Sequence, residues 1–267
     1  PGLNGLVIVV FLRIFMTDRP QGLGLPPIAE YMHDRPPSAR EMSVGVGALQ
    51  REVLGNPRVW ILGLASAMMY VARYAINNWA MLYLQLEKGY GDVEAGFIVS
   101  LFPIVGALGS TTSGWVSDRF FRARRTPATV AAGLLLVGAQ VALYYTPPGH
   151  PWVDRIAMGT AGYAIGCLLV FLGGLTAMDI SSKRAAGAAL GMIGGFSYVG
   201  AGIQDWLSGR MLKAGRHKDL SGKVVYDFSQ IKHVWIGAAI LSTILGATLW
   251  RSEQPVEDEK GDLSEES

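Results

Sequence analysis

Residues 59–86 read VWILGLASAMMYVARYAINNWAMLYLQL, an apolar run with a single charge, Arg73, at its middle. About 20 mostly apolar residues are needed for a helix to cross a bilayer. This run meets that length and lacks the period-two alternation of a half-buried strand. Working outward, five runs of the same kind follow, at residues 93–116, 128–145, 153–178, 186–212 and 233–250. The breaks between them carry turn and charge signals, as in Glu87-Lys88-Gly89-Tyr90-Gly91-Asp92 and Pro147-Pro148-Gly149-His150-Pro151. A shorter apolar run, Leu3 to Met16, precedes them. It has no charged leader, and Asp18-Arg19-Pro20 follows where a cleavable signal would place small residues. The expectation is an all-α integral membrane protein: six spanning helices preceded by the end of another, with a further N-terminal half in the complete protein.

Composition agrees with a lipid solvent. Only 16% of the 267 residues are charged, against about 25% in soluble domains. A net charge of +2 is too small for a nucleic-acid footprint, so no nucleic-acid partner is expected. Cys167 is the single cysteine and can form no internal disulfide. His33, His150, His217 and His233 are scattered without metal or triad spacing. The expectation is therefore no catalytic residues, no metal and no cofactor.

Lysine and arginine counts in short loops set orientation. Residues 17–58 hold Arg19, Arg35, Arg40, Arg51 and Arg58; residues 117–126 hold Arg119, Arg122, Arg124 and Arg125; Lys183-Arg184 mark a third loop on that side. The opposing short loops hold Lys88 and Arg155. The loop at 213–232 dissents, with Lys213, Arg216, Lys218, Lys223 and Lys232, but helix alternation outweighs it. These counts predict four regions: residues 1–16 ending a transmembrane helix, 17–58 as a cytoplasmic central loop, 59–250 as the six-helix bundle, and 251–267 as an acidic cytoplasmic tail. The loop is polar and proline-rich, with Pro20, Pro26, Pro27, Pro36 and Pro37. Small residues four apart (Gly106, Ser110, Gly114 and Gly187, Gly191, Gly195) predict close helix packing.

Arg73 carries the sharpest chemical signal. A central arginine in a span costs about 2.5–3.5 kcal/mol on insertion scales, so it faces a cavity, a partner or an ion path. Steps of four, three and four place Ser66, Tyr70, Arg73 and Asn77 on one helix face. The planar guanidinium fork suits phosphate or carboxylate oxygens, which points to an anionic substrate; an interhelical ion pair is the alternative. In the run 186–212, Tyr198 and Asp205 are seven residues apart and share a face, with Ala201 and Gly202 leaving room between them. Gln204 points about 100° away. Asp205 could meet a substrate cation, carry a proton, hold Arg73, or pair with Arg210.

Gly114-Trp115-Val116-Ser117-Asp118-Arg119 reads as a tight turn anchored by the basic residues after it. It resembles the Gly-x-x-x-Asp-Arg cytoplasmic loop motif of the major facilitator superfamily, which implies a gating role for Asp118 and Arg119. Further segments resemble the organophosphate:phosphate antiporter family of that superfamily. They are Arg19-Pro20-Gln21-Gly22-Leu23-Gly24-Leu25-Pro26-Pro27-Ile28, Tyr70-Val71-Ala72-Arg73-Tyr74, Lys183-Arg184-Ala185-Ala186-Gly187 and Phe196-Ser197-Tyr198-Val199-Gly200.

The resemblance implies twelve helices in the complete protein, with residues 1–16 ending the sixth. It implies that Arg73 clasps phosphate while Tyr70 and Tyr198 line the site, and that a second phosphate arginine lies in the first helix, outside this chain. The implied partners are a sugar phosphate or glycerol phosphate, inorganic phosphate and the lipid bilayer of the cell membrane. The implied activity is exchange of the organic phosphate for inorganic phosphate by alternating access. A membrane sensor of external sugar phosphate, signalling to a partner kinase, is the alternative. Asn78, Pro103 and the absence of a tyrosine around Cys167 depart from the glycerol-3-phosphate carriers, while Gly202-Ile203-Gln204-Asp205 looks closer to hexose-phosphate carriers and their sensor relatives. No ring of pore-lining charges suggests a channel.

Overall fold

Asn56 begins the first full span. Its side-chain oxygen accepts the Arg58 backbone N–H at 3.0 Å, and Pro57 takes the first helical position, where a missing N–H is harmless. The computed structural model describes residues 2–16, 23–24, 26, 45–122, 124–181, 185–218 and 224–249, in two units, Pro1–Ala48 and Leu49–Ser267. Within the first unit, α1 runs over Gly2–Phe15, with residues 8–16 exposed. Helix α2 (Val46–Gly55) begins at the boundary, and its Val53 is buried within the second unit.

The spans are α3 (Pro57–Leu86), α4 (Asp92–Phe121), α5 (Arg125–Tyr145), α6 (Pro151–Val170), α8 (Ala186–Ala214) and α9 (Ile231–Thr248). A π-helical turn, Phe171–Leu175, and the short α7 (Thr176–Asp179) prolong α6. Between α8 and α9, β1 (His217–Lys218) and β2 (Val224–Val225) form a two-stranded antiparallel ribbon. All six spans are long and apolar enough to cross a membrane, in the six places the sequence predicts.

Two expectations change. Residues 114–119 do not turn: they lie in α4, which continues to Phe121 and ends at Arg122 in the left-handed conformation (φ 53°). The physical reason is that Ser117 accepts the capping N–H of Arg122, so the helix closes only after the motif. The expected linker 17–58 contains a regular helix, α2, at its end. Its residues 17–22 and 27–44, the Lys183-Arg184 loop and the acidic tail 251–267 lie outside the described residues.

Packing runs through two parallel helix pairs, α4 with α6 and α3 with α8, and α9 lies against α3 and α5. Each pair is joined where a glycine leaves space for backbone. A Cβ on Gly162 would collide with the Phe102 carbonyl and one on Gly166 with the Gly106 carbonyl, while one on Gly200 would sit 2.5 Å from the Ala67 oxygen. Of the predicted stripes, Gly106 faces the Gly162 carbonyl, but Gly114, Gly187, Gly191 and Gly195 face open space. Spacing of four identifies a small face but not what lies across from it. Gly162→Ala and Gly166→Ala are each expected to destabilise the bundle by about 1–3 kcal/mol through overpacking. Gly187→Ala and Gly195→Ala should be tolerated, and thermal unfolding in detergent compares the two groups. The core buries Leu62, Met69, Ile76, Leu136, Met158, Phe171 and Trp235. Large apolar side chains such as Phe97, Ile104, Leu108 and Trp115 of α4 and Ile244 of α9 point outward, as a lipid solvent permits.

Candidate functional site

The polar face of α3 meets α8 along one wall. Arg73 lies near the middle of α3, its guanidinium carbon 5.3 Å from the Tyr70 ring centre and 5.6 Å from that of Tyr74. The two rings are 5.9 Å apart and stacked, and Tyr70 also meets Tyr198 of α8 edge-on at 5.7 Å. Cation–π contact with both rings orients the guanidinium. Among the described residues the ion pairs are Lys88–Asp154 and Arg155–Glu94, so no carboxylate there pairs with Arg73.

Higher on the wall, Asn78 donates its amide to both oxygens of Asp205, at 2.9 and 3.0 Å, and Asn77 donates to the Asn78 oxygen at 3.0 Å. Asp205 thus meets an amide of α3, not Arg73 or Arg210; Arg210 instead lies over the Trp206 ring at 5.0 Å. Asn77, Asn78, Tyr198 and Asp205 are exposed and Tyr70, Arg73 and Tyr74 half-buried. Charged and amide groups at this depth do not face hydrocarbon; they belong to a wet cavity or an interface.

The structure brings Tyr70, Arg73, Asn77, Tyr198 and Asp205 onto this wall. Ser66 leaves the predicted stripe: it is buried between α3 and α8, its hydroxyl 2.7 Å from that of Ser197. Asp118 and Arg119 stand exposed in the last turn of α4, on a helix that contributes nothing to the wall. Gln204 is buried against Ser208, as its angular offset predicts. Among the described residues no three His, Cys, Asp or Glu side chains gather as a metal site.

Sequence reasoning missed two arrangements. Asn78 is the partner of Asp205, a pairing between helices that no spacing within one helix reveals. Lys88, counted as a loop charge, is buried: its Nζ lies 2.9 Å from Asp154 Oδ1 and 2.6 Å from the Thr146 carbonyl, while the Tyr90 hydroxyl donates to Asp154 Oδ2 at 2.6 Å. The available signal was a lone acid in the first turn of an apolar helix, where the helix dipole favours a negative charge.

Residues 2–204 match the family model described as Major Facilitator Superfamily. The chain is 35% identical over 208 residues to a glycerol-3-phosphate transporter of Bacillus subtilis, covering 75% of this chain and 46% of that protein. It is 34% identical over 221 residues to the membrane sensor protein UhpC of Escherichia coli, covering 79% and 49%. It is 36% identical over 224 residues to a probable hexose phosphate transport protein of Chlamydia pneumoniae, covering 78% and 48%. The chain thus spans about half the length of the relatives it matches.

Proposed function

This chain belongs to the major facilitator superfamily, and we propose that it forms the C-terminal half of a transporter exchanging a sugar phosphate for inorganic phosphate by alternating access. The observation that carries the reading is Arg73: a guanidinium near the middle of a span, oriented by two tyrosine rings, with no carboxylate partner among the described residues. Such a group suits a phosphate whose negative charge replaces the missing partner. Tyr70, Asn77, Tyr198 and Asp205 line the same substrate path. The other wall, with a second phosphate cation, belongs to an N-terminal half, and two bundles rocking about a midplane site provide alternating access. Residues 1–16 end the last helix of that half, and the stretch between Met16 and α3 connects the two halves. Asp118 and Arg119 gate the cytoplasmic face from the end of α4. The chemistry is transport, without an enzymatic step.

The second reading, a sensor of external sugar phosphate signalling to a partner kinase, draws on the similarity to UhpC and on Asn78 and Pro103, where the family resemblance implies a departure from the glycerol-3-phosphate carriers. The deciding experiment reconstitutes the complete protein in phosphate-loaded vesicles and follows labelled glucose-6-phosphate. Uptake that stops when internal phosphate is removed supports the carrier. Binding without exchange supports the sensor.

Sidedness follows from the basic loops, with the bundle in the cell membrane and its C-terminus cytoplasmic. Cysteines at exposed Glu87 and Arg124 should react with impermeant reagents from opposite faces, Arg124 from the cytoplasmic one. Labelling of both from one face would overturn the arrangement. Lys88 is too buried to serve as the probe.

A further inference from the structure

The wall has two polar centres of opposite character, and we propose that Asp205 and Asn78 form a subsite reading the hydroxyl groups at the end of the substrate remote from its phosphate. The inference rests on the reading of Arg73 as the phosphate ligand. Arg73 presents only donors. The Asp205 centre is mainly an acceptor. Its carboxylate has about four lone-pair positions, of which the Asn78 amide takes two. Asn77 is turned so that its amide nitrogen donates to Asn78, which leaves its carbonyl oxygen as a further acceptor.

The phosphate of an ester dianion has no donors to offer these oxygens and is repelled by the carboxylate, whereas sugar hydroxyls can donate to them. The two centres therefore impose one orientation: phosphate at Arg73, hydroxyls at Asp205. Five residues separate Arg73 from Asn78, about 7.5 Å along the helix axis. That interval is room for a carbon skeleton.

A plain interhelical tie explains the bridge less well. The α3–α8 seam is already closed by the buried Ser66–Ser197 hydrogen bond and by the approach of Gly200 to Ala67. The Asn78–Asp205 bond is exposed. On α8, Tyr198 is seven residues before Asp205 and meets Tyr70, whose ring Arg73 also contacts.

The test compares glucose-6-phosphate, methyl phosphate (an ester without hydroxyls) and inorganic phosphate as competing ligands of the complete protein. Asp205→Asn keeps the shape and removes the strong acceptor. It should weaken glucose-6-phosphate by about ten- to a hundredfold, as expected for lost charged hydrogen bonds, and leave methyl phosphate and inorganic phosphate unchanged. Asn78→Ala, which releases the carboxylate from its tether, should move the same ligand in the same direction. An equal fall for all three ligands, or no change for any, would overturn the subsite. Arg73→Lys separates this from the underlying reading: it should weaken all three ligands, and unchanged inorganic phosphate would remove the phosphate assignment itself.

Discussion

Arg73→Ala in the complete protein is expected to lower sugar-phosphate affinity by at least about a hundredfold while leaving membrane insertion intact. A charged hydrogen bond contributes about 1.5–3 kcal/mol, a guanidinium can make two to one phosphate, and each 1.4 kcal/mol is tenfold in affinity. Arg73→Lys should be severely impaired as well. An ammonium keeps the charge, but it loses the planar fork and its contact with the Tyr70 and Tyr74 rings. Insertion should survive because removing a central arginine makes the span more apolar, not less. Equilibrium binding of labelled glucose-6-phosphate measures the effect. Near-wild-type affinity in both variants would assign Arg73 to structure and remove the anchor of the proposed site.

Breaking the buried ion pair should have the largest effect on stability. Lys88 and Asp154 have side chains 1% and 0% exposed, so either one alone would be left as an uncompensated buried charge. Asp154→Ala or Lys88→Ala is expected to destabilise the fold by about 3–5 kcal/mol. The double variant Lys88→Met, Asp154→Leu should recover most of that loss, because apolar side chains of similar volume can replace such a pair. Thermal unfolding in detergent separates the outcomes; single variants as stable as wild type would mean that the pair is hydrated.

Tyr90 supplies a second readout of the same network. Burial, followed by the hydrogen bond to Asp154, pushes its phenol well above the ordinary value of 10. The folded state then holds a proton that the unfolded state releases above that value. The contribution of Tyr90 is full below pH 10 and declines as pH rises beyond it. Tyr90→Phe should remove that part of the alkaline slope.

The helices and the placement of Arg73 were legible in the sequence. Uninterrupted apolar length is a local property, and bilayer thickness turns it directly into a span. Within one helix the periodicity also placed Tyr70, Arg73 and Asn77 on one face, and Tyr198 with Asp205 on another, because 3.6 residues per turn relate neighbours without any knowledge of the partner. Three features depended on what lies across a helix, and only the tertiary structure decided them. Ser66 satisfied the same periodicity as Arg73 but turned into the seam with α8, where Ser197 receives it. The predicted stripe at Gly106 and Ser110 does meet the Gly166 backbone, but Gly114, Gly187, Gly191 and Gly195 face open space, and further close approaches fall at Gly109, Gly162 and Gly200, because contact needs two backbones to meet. Asp205 could be assigned a face but not a partner. Whether its charge meets Arg73, Arg210 or Asn78 depends on the register between α3 and α8, which is set by packing along the whole seam and is written in neither helix alone.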